Sequence, residues 1–280
     1  MKVKIITGII STIFAVGVLF FMHTVAFPII ISFFTVVAVY EIEKASGLKN
    51  IPILIVTLAF SAIIPFFFHY RTVYIKHVYI TFAIAYIVTI LVLMLLFYKR
   101  TRFEHAVIAI FSSVVIPFAI STVILLRDIY IKYPSYTKTE GVFFILFALF
   151  SAWLTDTFAF FIGKRFGKHK LCPEISPKKT VEGAFGGIIG QLVINFALLI
   201  VFERFFFEGE SHIKYPIVML LSLFLSGISM CGDLIASLVK RNYGIKDFGF
   251  LFPWNGGVMD RFDSAILVFP VLYAFVICLA

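Results

Sequence analysis

VYITFAIAYIVTILVLMLLFY, residues 78–98, holds no Asp, Glu, Lys, Arg or His. An α-helix rises 1.5 Å per residue, so about 20 such residues cross the ~30 Å hydrocarbon core of a bilayer. With no polar face to turn to water, the segment reads as a membrane-spanning helix. Outward from it, the chain repeats the pattern. Of 280 residues, 61% are hydrophobic and 14% charged, and the mean hydropathy is +1.06. A soluble domain carries about 25% charged residues. The other structure that spans bilayers, a closed β-barrel, shows alternation over segments of about ten residues, whereas the apolar runs here are continuous. The expected fold is all-α: a polytopic integral membrane protein with about nine transmembrane helices and a polar site on its cytoplasmic side.

The nine spans are read at 3–22, 24–40, 50–68, 78–98, 104–126, 141–163, 181–203, 215–238 and 258–280. The first apolar run, Ile5–Phe21, follows Lys2 and Lys4 as a signal peptide would. It lacks a small-residue cleavage site and is read as a retained span. The polar, aromatic loop 127–140 divides an N-terminal transmembrane scaffold, 1–135, from a C-terminal catalytic region, 136–280. Loops on the N-terminal side of the membrane hold 16 Lys and Arg, against 7 on the opposite side. This excess predicts a cytoplasmic N-terminus. The first five spans show almost no charge and are read as scaffold or as a lipid-facing groove. The 36 Phe residues are read as lipid-facing and packing surface.

Cys172, Cys231 and Cys278 are scattered and form no CxxC pair, which argues against a disulfide framework or a zinc site. The net charge of +9 lies in short loops. It speaks for topology and anionic lipid and against nucleic acid.

Five acids stand at the ends of late spans: Asp156, Glu182, Asp233, Asp260 and Asp263. An acid at mid-membrane costs about 2.5–3.5 kcal/mol on insertion scales, so a cluster needs a reason. Beside them lie two loops. The first runs Gly163-Lys-Arg-Phe-Gly-Lys-His-Lys170 and then Ser176-Pro-Lys-Lys-Thr180. It reads either as a basic topology signal or as a polyphosphate cradle of lysines, hydroxyls and the free N–H groups of the following helix. It is not a Walker A sequence. Glu182, in that helix's first turn, serves the site or merely answers the helix dipole. Gly183, Gly186, Gly187 and Gly190 share one face, as close helix packing requires. In the eighth span Asp233, Ser237 and Lys240 fall at i, i+4 and i+7, again on one face. The second loop contains Lys246-Asp247-Phe-Gly249 and Pro253-Trp-Asn255-Gly-Gly257. Asp260 and Asp263 follow at i, i+3. Oxygen ligands of this kind suit Mg²⁺ shared with substrate phosphates.

The ordered set Ser237-Leu-Val-Lys240-Arg241, Lys246-Asp247-Phe-Gly249 and Pro253-Trp-Asn255-Gly-Gly-Val-Met-Asp260-Arg261-Phe-Asp263 resembles the membrane-bound phosphatidate cytidylyltransferases, or CDP-diglyceride synthases. Asp156-Thr157 and Ser176–Gly183 extend the resemblance over about 150–264. It implies the reaction of CTP with phosphatidic acid to give CDP-diacylglycerol and pyrophosphate. It also implies Mg²⁺, with room for a second cation, and a site facing the cytoplasm of a prokaryotic inner membrane. By this resemblance Asp233 and Asp260 are the first metal ligands, with Asp263 and Asp156 next. Asp233, Asp260, Lys240 and Arg261 form the catalytic set. Lys178, Lys179, Lys240, Arg241 and Arg261 take the triphosphate and lipid phosphate, Ser176, Thr180 and Ser237 donate hydroxyls, and Lys246 and Asn255 contact substrate. The family places a histidine where this chain has Asn255. Asn positions ligands but takes no proton near neutral pH. Partners are then CTP, phosphatidic acid and membrane lipid, and a homo-oligomer stays open. Two other readings compete: a multi-span transporter, which calls for mid-membrane charges and internal symmetry, and a CTP-dependent polyprenol kinase, which releases CDP.

Overall fold

The computed structural model describes residues 17–18, 20–70, 76–207, 213–251 and 256–279. Among the described residues, regular structure is helical except for one hairpin. Its helices are α1 (Ala26–Ala45), α2 (Ile51–His69), α3 (Lys76–Leu96), α4 (Phe103–Arg127), α5 (Ile129–Lys132), α6 (Lys138–Phe166), α7 (Val181–Phe205), α8 (Tyr215–Asn242), α9 (Met259–Phe262) and α10 (Ala265–Leu279). Strands β1 (Lys170–Cys172) and β2 (Ser176–Thr180) separate α6 from α7. Among the described residues, seven helices are long and apolar enough to cross a membrane: α1 to α4 and α6 to α8. The protein is therefore an integral membrane protein. Of the nine expected spans, the first lies almost wholly outside the described residues.

The last expected span is corrected. It is not one helix across 258–280. It breaks after Phe262, and α10 has only 15 residues, or about 22 Å. The break has a local cause: the Asp263 carboxylate accepts from the backbone N–H of Ser264 at 2.7 Å. Gly232 of α8 packs against this same point. A Cβ there would stand 2.7 Å from the Asp263 carbonyl oxygen.

The chain divides into two compact units. The first holds residues 1–124 and 243–261, the second 125–242 and 262–280. In the first, Ile53, Phe60, Ile64, Tyr86, Ile90, Ala106 and Ala109 form a buried apolar cluster. Phe60 stacks on Tyr86 with centroids 3.8 Å apart. Asn50 caps α2 by accepting from the Ile53 N–H. In the second, a reciprocal capping box starts α6. Thr137 accepts from Glu140 N–H, and Glu140 accepts from Thr137 N–H at 2.7 Å. Such a box satisfies two helix-end donors that no turn of helix can reach.

The glycine face of α7 does what its spacing predicts. A Cβ on Gly187 would lie 2.6 Å from the Thr155 carbonyl oxygen, and one on Gly183 2.6 Å from that of Ala159. Backbone thus meets backbone between α6 and α7. Thr155 and Thr157 return their hydroxyls to the carbonyls of Ser151 and Trp153, each at 2.7 Å, so neither leaves an unsatisfied donor in the membrane. Deeper in the same unit Gln191 and Asn195 of α7 both donate to Ser151 Oγ, at 2.9 and 3.0 Å.

Candidate functional site

The basic segment after α6 is a β-hairpin rather than an irregular loop. β1 and β2 pair antiparallel, with Lys170 opposite Thr180 and Cys172 opposite Ser176. Successive strand residues point to opposite faces, so the two adjacent lysines are not equivalent. Lys178 is exposed. Lys179 turns inward, its side chain 20% exposed, with Nζ against Asp233 Oδ2 and 3.7 Å from Asp156 Oδ1. Thr180 ends the hairpin as the N-cap of α7, its hydroxyl accepting from Gly183 N–H at 3.1 Å. Glu182 ties the hairpin's entry to α7. It accepts from the backbone N–H groups of Lys168 and His169 and meets the His169 ring nitrogen at 2.6 Å.

Two helix-borne acids, Asp156 and Asp233, meet Lys179 within the second unit, and a third, Asp263, lies near both of them. Asp156 lies on α6 roughly three turns before its end at Phe166, deeper than a rim position. Its Oδ2 accepts from Ser264 Oγ at 3.1 Å, while its Oδ1 is buried without a hydrogen-bond partner. Asp233 lies on α8. Asp263 occupies the break before α10, outside the membrane-crossing helices. Burial pushes its carboxyl above the usual Asp range, the charges of Asp233 and Asp156 add to this, and Lys240 opposes it. Asp233, Ser237 and Lys240 lie on α8 at the expected spacing, half-buried. Arg241 Nε donates to the Ile175 carbonyl at 3.4 Å and so touches the hairpin turn. Ser176, at the start of β2, is half-buried.

The first unit carries the remaining expected residues. In its segment 243–261, Lys246 and Arg261 are exposed, and Asn255 lies outside the described residues. Asp260 Oδ2 accepts from the N–H groups of Phe248 at 2.8 Å and Gly257 at 2.9 Å. Gly256 adopts φ +80°, a conformation that glycine enters without penalty. Asp260 and Asp263, expected on one helical face, are separated by the end of α9 at Phe262.

The expectation that the early spans hold almost no buried charge is also corrected. Glu41 and Glu43 are 4% and 0% exposed. Glu43 accepts from Thr57 Oγ1 at 2.9 Å, and Glu41 accepts from Val258 and Met259. Both acids lie beyond the expected span 24–40, where the apolar run ends at Tyr40. The helix continues to Ala45. Two acids at i, i+2 beside an apolar span, with no cation between them, were the available signal.

The cluster of Asp156, Asp233 and Asp263 offers only carboxylate oxygens. Such an all-oxygen donor set suits a hard divalent cation and not zinc or copper. Among the described residues no group of three or more His, Cys, Asp or Glu is arranged to hold an ion. Lys179 supplies the positive charge there. The donor chemistry nonetheless fits Mg²⁺: Asp233 and Asp156 share one ammonium, Asp263 adds a third carboxyl beside them, and Asp156 Oδ1 is buried without a hydrogen bond.

The fold and site define a polytopic membrane protein with a half-buried carboxylate–lysine cluster at a basic hairpin. The sequence profile of the Cytidylyltransferase family matches residues 2–279, and the chain belongs to that family. It is 43% identical over 136 residues to phosphatidate cytidylyltransferases of Staphylococcus epidermidis strain RP62A and Staphylococcus aureus strain COL. That of Staphylococcus saprophyticus is 42% identical over the same length. Each match covers 49% of this chain and 50% of the relative, so the chain spans about half the length of the curated relatives it matches.

Proposed function

We propose that the protein transfers the cytidylyl group of CTP to phosphatidic acid, releasing pyrophosphate and leaving CDP-diacylglycerol in the membrane. The observation that carries this reading is the convergence of Asp156, Asp233, Asp263 and Lys179 from two helices, a helix break and a strand. Family membership and the similarity to phosphatidate cytidylyltransferases support it. A phosphate oxygen of phosphatidate attacks the α-phosphorus of CTP, and the bond from that phosphorus to the β-phosphate's bridging oxygen breaks. The nucleophile is already anionic, so no proton need be removed. What the protein must do is hold two mutually repelling anions in line and neutralise them.

In this proposal Asp233 and Asp260, with Asp263 and Asp156 next, would hold Mg²⁺, which when bound would supply charge neutralisation and orientation of the phosphates. Lys240 and Arg261 complete the catalytic set. Lys178, Lys179 and Arg241 bind phosphate oxygens, and Lys246 and Asn255 contact substrate. Ser176 and Ser237 offer hydroxyls, as Thr180 does through its hydrogen while its oxygen caps α7. Region 136–280 is the catalytic region of a cytoplasmic-membrane enzyme whose site opens to the cytoplasm. The test is purified protein in detergent with labelled CTP, phosphatidate and Mg²⁺. CDP-diacylglycerol and pyrophosphate, lost on chelation, are the expected result. CDP as the product would replace the reading with a lipid kinase, and no CTP-dependent product at all would overturn it.

A further inference from the structure

We infer that Glu41 is a positioning residue that locks the backbone at 247–251 and 256–260 into the shape that presents Lys246 and Arg261 to substrate, an inference that rests on the activity proposed above. Its Oε1 accepts from Val258 N–H at 3.0 Å, and its Oε2 accepts from Met259 N–H at 2.8 Å. Both oxygens are thus used on backbone donors from one short stretch. Glycines flank the carboxylate on two sides. A Cβ at Gly249 or at Gly257 would overlap Glu41 itself, so the chain can close around this acid only where it has no side chain.

Asp260 closes the same segment from within, through Phe248 and Gly257. Four backbone N–H groups, of Phe248, Gly257, Val258 and Met259, therefore converge on two carboxylates. Phe248 is buried while its neighbours Lys246 and Asp247 are exposed. The backbone is pinned and the charged side chains are left outward. Capping of α9 alone would explain the bonds to Val258 and Met259. It would not explain why Gly249, ten residues away from Met259, must also lack a Cβ because of the same acid.

A pinned segment lowers the ordering cost of binding. The benefit applies to bound substrate and transition state alike, so its loss raises KM and leaves kcat nearly unchanged. A merely structural defect does the reverse, since it reduces the fraction of active enzyme and leaves KM alone.

The test uses the full chain in phosphatidate–detergent micelles with CTP and Mg²⁺, beside hydrogen exchange of the same samples without substrate. Glu41→Ala should raise KM for CTP on the order of 10- to 100-fold, with kcat within about threefold. Amides in 248–251 and 256–260 should exchange faster. Glu41→Gln, which keeps one acceptor oxygen, should fall between wild type and Glu41→Ala on both measures. Gly257→Ala should be harmful alone and add little to Glu41→Ala, because the side chain it would strike is gone. Unchanged exchange in Glu41→Ala overturns the inference, as does a fall in kcat with KM unmoved. A wild type that makes no CDP-diacylglycerol removes the proposed activity. Exchange and the Gly257→Ala combination then uphold or overturn the lock by themselves.

Discussion

Replacing Lys179 with Met keeps the length of the side chain and removes its ammonium. Asp233 and Asp156 then lose the cation that now contacts Asp233 and stands 3.7 Å from Asp156. Removing one partner of a fully buried ion pair costs about 3–5 kcal/mol. Here Lys179 and Asp233 each retain 20% of their side-chain exposure and Asp156 retains 34%. Solvent therefore shares the load, and about 2–3 kcal/mol is the appropriate range. For a chain of this size that is a fall in melting temperature of about 5–10 °C. Lys178, one residue earlier and facing outward, should change stability by less than about 0.5 kcal/mol when replaced by Met. The assay is thermal unfolding of both variants in one detergent, with and without Mg²⁺. The ion should restore more stability to Lys179→Met than to wild type, because two acids that had an ammonium are open to it. Equal behaviour of the two lysine variants would refute the inward placement of Lys179. A Lys179→Met protein indifferent to Mg²⁺ would refute the carboxylates as an ion site.

Three further outcomes are expected. Asp260→Asn keeps an oxygen to accept from Phe248 and Gly257 but loses its charge, so CTP turnover should fall more than about 100-fold while helix content by circular dichroism is retained; near-normal turnover removes Asp260 from the ligands. Gly187→Ala would drive a methyl onto the Thr155 carbonyl oxygen, 2.6 Å away, and should cost about 1–3 kcal/mol in denaturant unfolding, whereas Gly190→Ala meets the side chain of Phe158, which can rotate, and should cost less. Asp263 is held above the usual Asp range by burial and by Asp233 and Asp156, so Mg²⁺ must displace a proton to bind; apparent Mg²⁺ affinity, measured by titration of activity or of melting temperature, should weaken as pH falls, by up to about tenfold per unit for one proton, and a flat profile from pH 6 to 8 counts against Asp263 as a ligand.

Much of the membrane architecture is legible in the sequence because each crossing helix is a local object. The run 78–98 needs no partner to declare itself, and α3 covers Lys76–Leu96. The glycine face of α7 is equally plain, since its four positions recur at helical spacing. What a linear reading misses is set by pairing at a distance. Ser176–Thr180 reads as a loop because a two-stranded hairpin depends on its partner at Lys170–Cys172. With the strand unseen, Lys178 and Lys179 look alike. The break at Asp263–Ser264 comes from one side chain taking a backbone N–H inside an otherwise helical run. Glu41 is invisible for the same reason: its partners lie more than two hundred residues further along. The acids Asp156, Asp233 and Asp263 are legible as a set because membrane insertion penalises them. The lysine that Asp156 and Asp233 share is not.

The bonds from Glu41 to Val258 and Met259 span 217 and 218 residues. A ribosome adding about 5–20 residues per second reaches those positions roughly 10–40 s after it has made Glu41. Through that interval the nascent protein carries a helix-borne acid whose eventual donors do not yet exist. Chains that stall or are cut short before Val258 keep that defect permanently. The distance between these residues thus leaves Glu41 without its backbone donors until the segment carrying Val258 and Met259 has been made.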